Sequence, residues 1–305
     1  MNILLTVNKT LSNGVREWDD GAHWNLFLPL KELGHEVYFY DTVRGADRTY
    51  SDIIDQFKPD LIFCCMTGNH NMTPHEPWEE IENETKKGNC RTFNWFCDEP
   101  WRFESFSSKA CSYFHVCSTP EIGYIERFKE IGYNNILLGF WHSNKNFYQP
   151  AAVKKNDIGF CGQLNYERGN LLNHLISAGV NVKHYHGLAH EEMLTALCES
   201  RIGINFSKNY NGSPPVLQMK GRMAEVPAAN SLLLTEYAPG LEEHFIIDEE
   251  IITFSSTDEM AKKAKFLLSR PSLTAAIARR GHQRFLKSHD SKVRLKEILD
   301  RVVSV

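Results

Sequence analysis

Lys220, Arg222 and Glu225 are the residues whose types and spacing say most about chemistry in this chain. They lie in the run SPPVLQMKGRMAEVPAANSLLLTE, Ser213 to Glu236, which reads loop, helix, strand. Pro215 suits a first helical turn. Lys220 and Arg222 are then expected near a helix start, where unpaired backbone N–H groups already favour an anion. Two cations and a helix N-terminus make a diphosphate site. Glu225 follows Arg222 by three residues and shares its helix face, so its carboxylate is suited to accept hydrogen bonds from two adjacent hydroxyls, as on a ribose. The competing reading is an amphipathic helix whose Arg222–Glu225 pair is a solvated surface contact.

Other residues carry weaker signals. Gly162-Gln163 follows an apolar run ending at Cys161, and a glycine there lets backbone N–H groups approach a phosphate, with Arg168 adding charge. Taken alone, the segment reads first as an ordinary βα turn with a surface arginine. Asp98, in Asp98-Glu99-Pro100-Trp101, follows a strand-like run and is a candidate general base; it also fits a helix cap. His75, before Glu76-Pro77-Trp78, is a rival base or a surface histidine. The loop from Asn8 to Gly21, with Asn13-Gly14, Arg16 and Asp19-Asp20, is expected to overhang the ligand site, but it is not a GxGxxG fingerprint. His184, His186 and His190 are spaced like metal ligands, yet no carboxylate or cysteine completes a set, and no metal is expected. Trp95, Trp101 and Trp141 suit either stacking on a ligand or core packing.

The elements needed to position these groups alternate along the chain. Apolar runs at Ile3 to Val7, Glu36 to Tyr40, Leu61 to Cys65, Thr92 to Phe96, Tyr113 to Cys117 and Ile136 to Phe140 predict strands. Helical patterns fall between them, including segments near Pro77 to Lys86 and Pro120 to Ile131. A polar stretch, Trp141 to Asn156, interrupts the series before it restarts. Strands are then expected at Asp157 to Cys161, Asn181 to Tyr185, Ile202 to Phe206, Ser231 to Thr235 and Ile251 to Phe254, with helices at Asp258 to Ser269, Ser272 to Lys287 and Lys292 to Val302. Such βαβ series build parallel sheets covered on both faces. The pattern predicts an α/β protein of two Rossmann-like domains, residues 1–149 and 150–305, facing a cleft that holds the ligand, with C-terminal helices.

Composition agrees. The chain has 305 residues, enough for two domains of about 150. With 42% hydrophobic and 24% charged residues it reads as globular. A formal charge of −4 argues against a broad grip on nucleic acid or anionic membrane. The 8 cysteines form no CxxC pair and suit a reducing compartment. With no signal-peptide pattern and no run of about 18 apolar residues, a cytoplasmic protein without a membrane span is expected.

Four segments resemble the CgeB-like, spore-maturation-type glycosyltransferases of the GT-B superfamily. KGRMAEVPAANSLLLTEYAPGLEEHF (Lys220 to Phe245) carries the most specific likeness. IGFCGQLNYERGNLLNHL (Ile158 to Leu175), FNWFCDEPWRF (Phe93 to Phe103) and LKELGHEVYFYD (Leu30 to Asp41) extend it over nearly the whole chain. The resemblance implies metal-independent transfer of a hexosyl or pentosyl group from a nucleotide-sugar donor to an acceptor hydroxyl. The donor would bind the second domain through Gly162, Gln163, Arg168, Lys220, Arg222 and Glu225, and the acceptor the first. Asp98, or His75, would then be the base of an inverting reaction. The acceptor stays open: a small molecule, protein, glycan or modified DNA base. Many retaining GT-B enzymes carry a second Glu eight residues before the ribose Glu, where this chain has Leu217. A nucleotide-sugar epimerase and a non-catalytic GT-B-like coat protein are the alternatives.

Overall fold

A computed structural model describes residues 1–12, 17–19, 21–211 and 213–305. The chain divides into two compact units, Met1–Phe140 with Ser291–Val305, and Trp141–Asp290. The division falls nine residues before the expected one at 149/150, and the last helix returns to the first unit. The polar stretch from Trp141 to Asn156, expected to hold the boundary, lies wholly in the second unit, where Lys154 and Lys155 pair with the segment around Cys198 and Glu199.

The first unit is a six-stranded parallel sheet. Its strands are β1 (Asn2–Val7), β2 (Glu36–Asp41), β3 (Leu61–Cys64), β4 (Arg91–Trp95), β5 (Val116–Thr119) and β6 (Ile136–Leu138), in the order β2-β1-β3-β4-β5-β6. The chain reverses direction across the sheet between β1 and β3, the position where open parallel sheets bind ligands. Alternation sends Leu4, Ile62 and Cys64 into one core layer with Tyr50, Ile53, Phe96 and Phe128. The predicted strand at Tyr113 to Cys117 sits further along, at Val116–Thr119, because Cys111 to Tyr113 close a helical turn and Phe114 turns into the core.

The helices of this unit are α1 (Leu28–Glu32), α2 (Tyr50–Phe57), α3 (Trp78–Lys87), the short α4 (Glu99–Arg102) and α5 (Ile122–Glu130). Of the first loop, Asn13, Gly14, Arg16 and Asp20 lie outside the described residues.

The second unit is a five-stranded parallel sheet. Its strands are β7 (Asn156–Cys161), β8 (Val182–Tyr185), β9 (Ser200–Asn205), β10 (Leu232–Glu236) and β11 (Ile252–Phe254), in the order β8-β7-β9-β10-β11. Its switch point lies between β7 and β9, at the carboxyl end of Cys161. Helices α6 (Tyr166–Ser177), α7 (His190–Cys198), α8 (Arg222–Ala228), α9 (Thr257–Leu268) and α10 (Pro271–Ser288) cover it. Gly203 of β9 lets α8 lie close: a Cβ there would come within 2.6 Å of the Val226 methyl groups.

The long helices match their apolar spacing, with Met260, Ala264, Leu267, Ile277 and Phe285 buried. Phe266 on α9 is exposed, and the Arg270 guanidinium lies 3.9 Å from its ring centroid. The final helix, α11 (Ser291–Ser304), buries Leu295, Ile298, Leu299 and Val302 in the first unit, where Lys292 meets Glu32 of α1 at 3.0 Å.

Lys154 joins two helix ends of the second unit. Its ammonium donates to the carbonyls of Cys198 (2.8 Å) and Ala229 (3.1 Å), the C-termini of α7 and α8, and to Ser231 Oγ (3.2 Å). A cation there satisfies orphan carbonyls and the negative ends of both helix dipoles. Lys154→Met is expected to lower stability by about 1–3 kcal/mol, read as the denaturation midpoint in guanidinium. An unchanged midpoint would remove the lysine from this role.

Candidate active site

Of the predicted anion-binding residues, Gly162, Gln163, Arg168 and Arg222 meet at the carboxyl end of β7, whereas Lys220 contacts Gln218 on its own loop. Gly162 has φ of 142°, a backbone region that favours glycine. A Cβ at this position would sit 2.6 Å from Arg222 Nη2, so the guanidinium lies directly against the glycine. Arg222 is also stacked over Phe160, with its Cζ 5.4 Å from the ring centroid. Phe160 is fully buried on β7. A glycine and an aromatic face, two residues apart on one strand end, thus fix the direction of a long cationic side chain.

Arg168 belongs to the same site. Asn165 caps α6, its Oδ1 accepting from the Arg168 backbone N–H at 2.9 Å, and Arg168 Nη1 donates to the Gln163 carbonyl at 3.1 Å. Burial and the neighbouring charge of Arg222 hold the Arg168 guanidinium below its usual pKa. Tyr210 and Glu236 act in the opposite sense. The Nε atoms of both Arg168 and Arg222 are buried without a hydrogen-bond partner among the described residues. Two half-buried like charges with unsatisfied donors are costly on their own, and an anion relieves both costs. Gln163 contributes its carbonyl; its side chain is exposed.

Glu225 stands one turn after Arg222 on α8. Tyr148, hydrogen-bonded to Ser143 at 2.7 Å, is held above its usual pKa by burial first and by the Glu225 carboxylate second. Glu225 and Arg222 both act on Cys161, whose thiol burial pushes up to about 12. Lys220 is half-buried and donates to Gln218 Oε1 at 2.6 Å. The helix starts later than Pro215 implied. Val216–Leu217 instead form a short antiparallel ladder with Lys208–Asn209, and α8 opens at Arg222.

In the first unit Asp98 occupies the residue before α4. Its carbonyl accepts from Arg102 N at 3.0 Å, and its Oδ1 accepts from Trp101 Nε1 at 3.3 Å. His75 is exposed, is anchored by its backbone to Thr42 and Tyr40, and lays its ring against Gly45. Trp95 is buried, whereas Trp101 and Trp141 are half-buried.

The histidines do not form a set. His184 Nε2 lies 2.8 Å from the Gly162 carbonyl and its ring stacks on Phe160, while His190 is buried and driven down to about 4 by burial. Among the described residues no group of three or more His, Cys, Asp or Glu is placed to hold a metal ion.

Two buried carboxylates escaped the sequence reading. Glu99 is 1% exposed, accepts from Thr119 Oγ1 (2.5 Å) and Ser107 Oγ (3.0 Å), and is pushed up to about 7 by burial. Glu236 is buried at the end of β10 and accepts from the Lys208 backbone N–H at 2.8 Å. The sequence signal for both was only an acidic residue beside a strand end.

The two parallel-sheet units have the GT-B glycosyltransferase fold, and solved structures of that fold superpose over almost the full chain. Sucrose-phosphate synthase from Thermosynechococcus elongatus matches with a TM-score of 0.66 and 10% identity, covering 99% of both chains. A glycosyltransferase from Rickettsia africae ESF-5 gives 0.66 and 11%, covering 99% of this chain and 98% of its own. HepE from Anabaena, solved with UDP and glucose, gives 0.64 and 13%, covering 100% of both. Residues 145–300 match the family described as "Glycosyl transferase-like", just over half of the chain, and the chain belongs to that family. A sequence search of curated proteins finds no match. No helix among the described residues is long and apolar enough to cross a membrane.

Glu99 gives a pH test. Its folded pKa is raised above the ordinary carboxylate value, so the protonated form is favoured in the folded state. Its contribution is therefore fully present below about 4.5 and is lost as pH rises through about 7. Glu99→Gln is expected to gain stability relative to the parent between pH 5 and pH 8, by on the order of 3 kcal/mol. Parallel stability profiles of the two proteins would show that Glu99 titrates normally.

Proposed function

We propose that this protein transfers a glycosyl group from a nucleoside-diphosphate sugar to an acceptor hydroxyl without a bound metal ion. The observation that carries the proposal is Arg222 lying against Gly162 and Arg168 on the adjacent Gln163 carbonyl, with their Nε donors unsatisfied among the described residues. Departure of a nucleoside diphosphate builds negative charge on the β-phosphate. Fixed guanidinium groups aimed at that charge stabilise the transition state more than the ground state. Arg168, Arg222 and Lys220 would neutralise the diphosphate, with Gly162 and Gln163 framing it, and Glu225 would accept hydrogen bonds from the ribose.

On the acceptor side, Asp98 is the favoured base. It is a half-buried carboxylate at the end of β4, whereas His75 is exposed on its loop. The run from Lys220 to Phe245 supports a place among the CgeB-like enzymes. HepE, solved with UDP and with UDP-glucose on the same fold, makes uridine diphosphate sugars the first donors to try.

A thermal-shift panel of nucleotide sugars tests this reading, followed by calorimetry on the best ligand. Arg222→Ala is expected to weaken that ligand roughly 100-fold, since two charge-assisted hydrogen bonds are lost, while leaving the melting temperature of the free protein within a few degrees. Equal affinity in the variant would refute the donor assignment. Incubation of a mass-tagged donor with acceptor candidates separates transfer from epimerisation.

A further inference from the structure

We propose that Gln218 is the positioning residue that fixes Lys220 for contact with the donor diphosphate, an inference that rests on the donor-site reading above. A lysine ammonium is a compact point charge on a flexible four-carbon stem, so it contributes as a fixed cation only where something else restrains it. Here the restraint is a buried amide. Gln218 is 2% exposed, and its Oε1 accepts from Lys220 Nζ at 2.6 Å and from Asn209 Nδ2 at 2.7 Å. Both partners can only donate at this contact, so chemistry fixes which end of the amide faces them.

The backbone is restrained as well. Gln218 N donates to the Ser207 carbonyl at 3.1 Å, Lys208 and Asn209 pair in register with Leu217 and Val216, and Asn209 Oδ1 caps Asn211 N at 2.9 Å. The loop between β9 and α8 is therefore a braced hairpin that delivers Lys220 two residues before Arg222. The neutral amide has a further consequence. A carboxylate here would hold the lysine equally well but cancel its charge toward a phosphate. An amide orients the ammonium and occupies one of its three N–H groups while leaving the charge intact.

The test is a double-mutant cycle read as affinity for inorganic pyrophosphate by calorimetry, at one fixed salt concentration. Gln218→Leu and Lys220→Met are each expected to weaken binding roughly tenfold, and the double variant no more than Lys220→Met alone, because Gln218 acts through Lys220. Gln218→Glu keeps the shape and the lysine contact but cancels the charge. It is expected to lose affinity to the same degree with an unchanged melting temperature, and it decides the matter if Gln218→Leu fails to fold. Unchanged affinity in the Gln218 variants, or losses that multiply in the double variant, overturn the role of Gln218 while the donor site stands. If the parent protein binds neither pyrophosphate nor any nucleoside diphosphate, the donor site falls and Gln218 with it.

Discussion

The seating of the Arg222 guanidinium against Gly162 and over Phe160 is the constraint around which the carboxyl end of β7 is arranged. The Arg168 and Arg222 guanidinium groups are both half-buried, each with its Nε donor unsatisfied among the described residues. Proteins tolerate such an arrangement where surrounding packing over-determines it. The packing is visible here: Phe160 beneath Arg222, Gly162 against it, the Asn165 cap behind Arg168, and Glu236 supplying a partial counter-charge from β10. Together they fix the position of two cationic side chains at the end of β7.

The parallel sheet explains why these groups meet. Gly162, Lys208 and Glu236 are far apart in sequence, but each follows or ends a strand whose carboxyl terminus lies on the same edge. The first unit repeats the arrangement with different chemistry. Its carboxyl edge bears Asp41, Asp98 and Glu99, and hydroxyl or indole donors partner the last two. The same topology thus gathers two guanidinium groups at the end of β7 in one unit and three carboxylates at the strand ends of the other.

Much of this was legible in the residues. Strand and helix periodicity located the two sheets, and the Lys220, Arg222 and Glu225 spacing singled out α8. Three features were not legible, each for a physical reason. Pro215 mimics a helix start, yet the segment after it pairs as a ladder because Lys208 and Asn209 lie alongside in space. Glu99 reads like any acidic residue at a turn, and only tertiary burial gives it its raised pKa. The contact between Arg222 and Gly162 spans sixty residues, and nothing local encodes it. Propensity and period report on neighbours along the chain, whereas a site is assembled from strand ends.

The return of α11 to the first unit makes that unit discontinuous in the chain. Leu295, Ile298, Leu299 and Val302 are buried there, yet they are synthesised only after the whole of the second unit. During translation the first 140 residues must wait with an apolar face uncovered, while the second unit is free to fold ahead of them. The order of completion is therefore the reverse of the order of synthesis. A nascent chain halted near Asp290 would leave the ribosome with one unit finished and the other still lacking its closing helix, a natural substrate for chaperones.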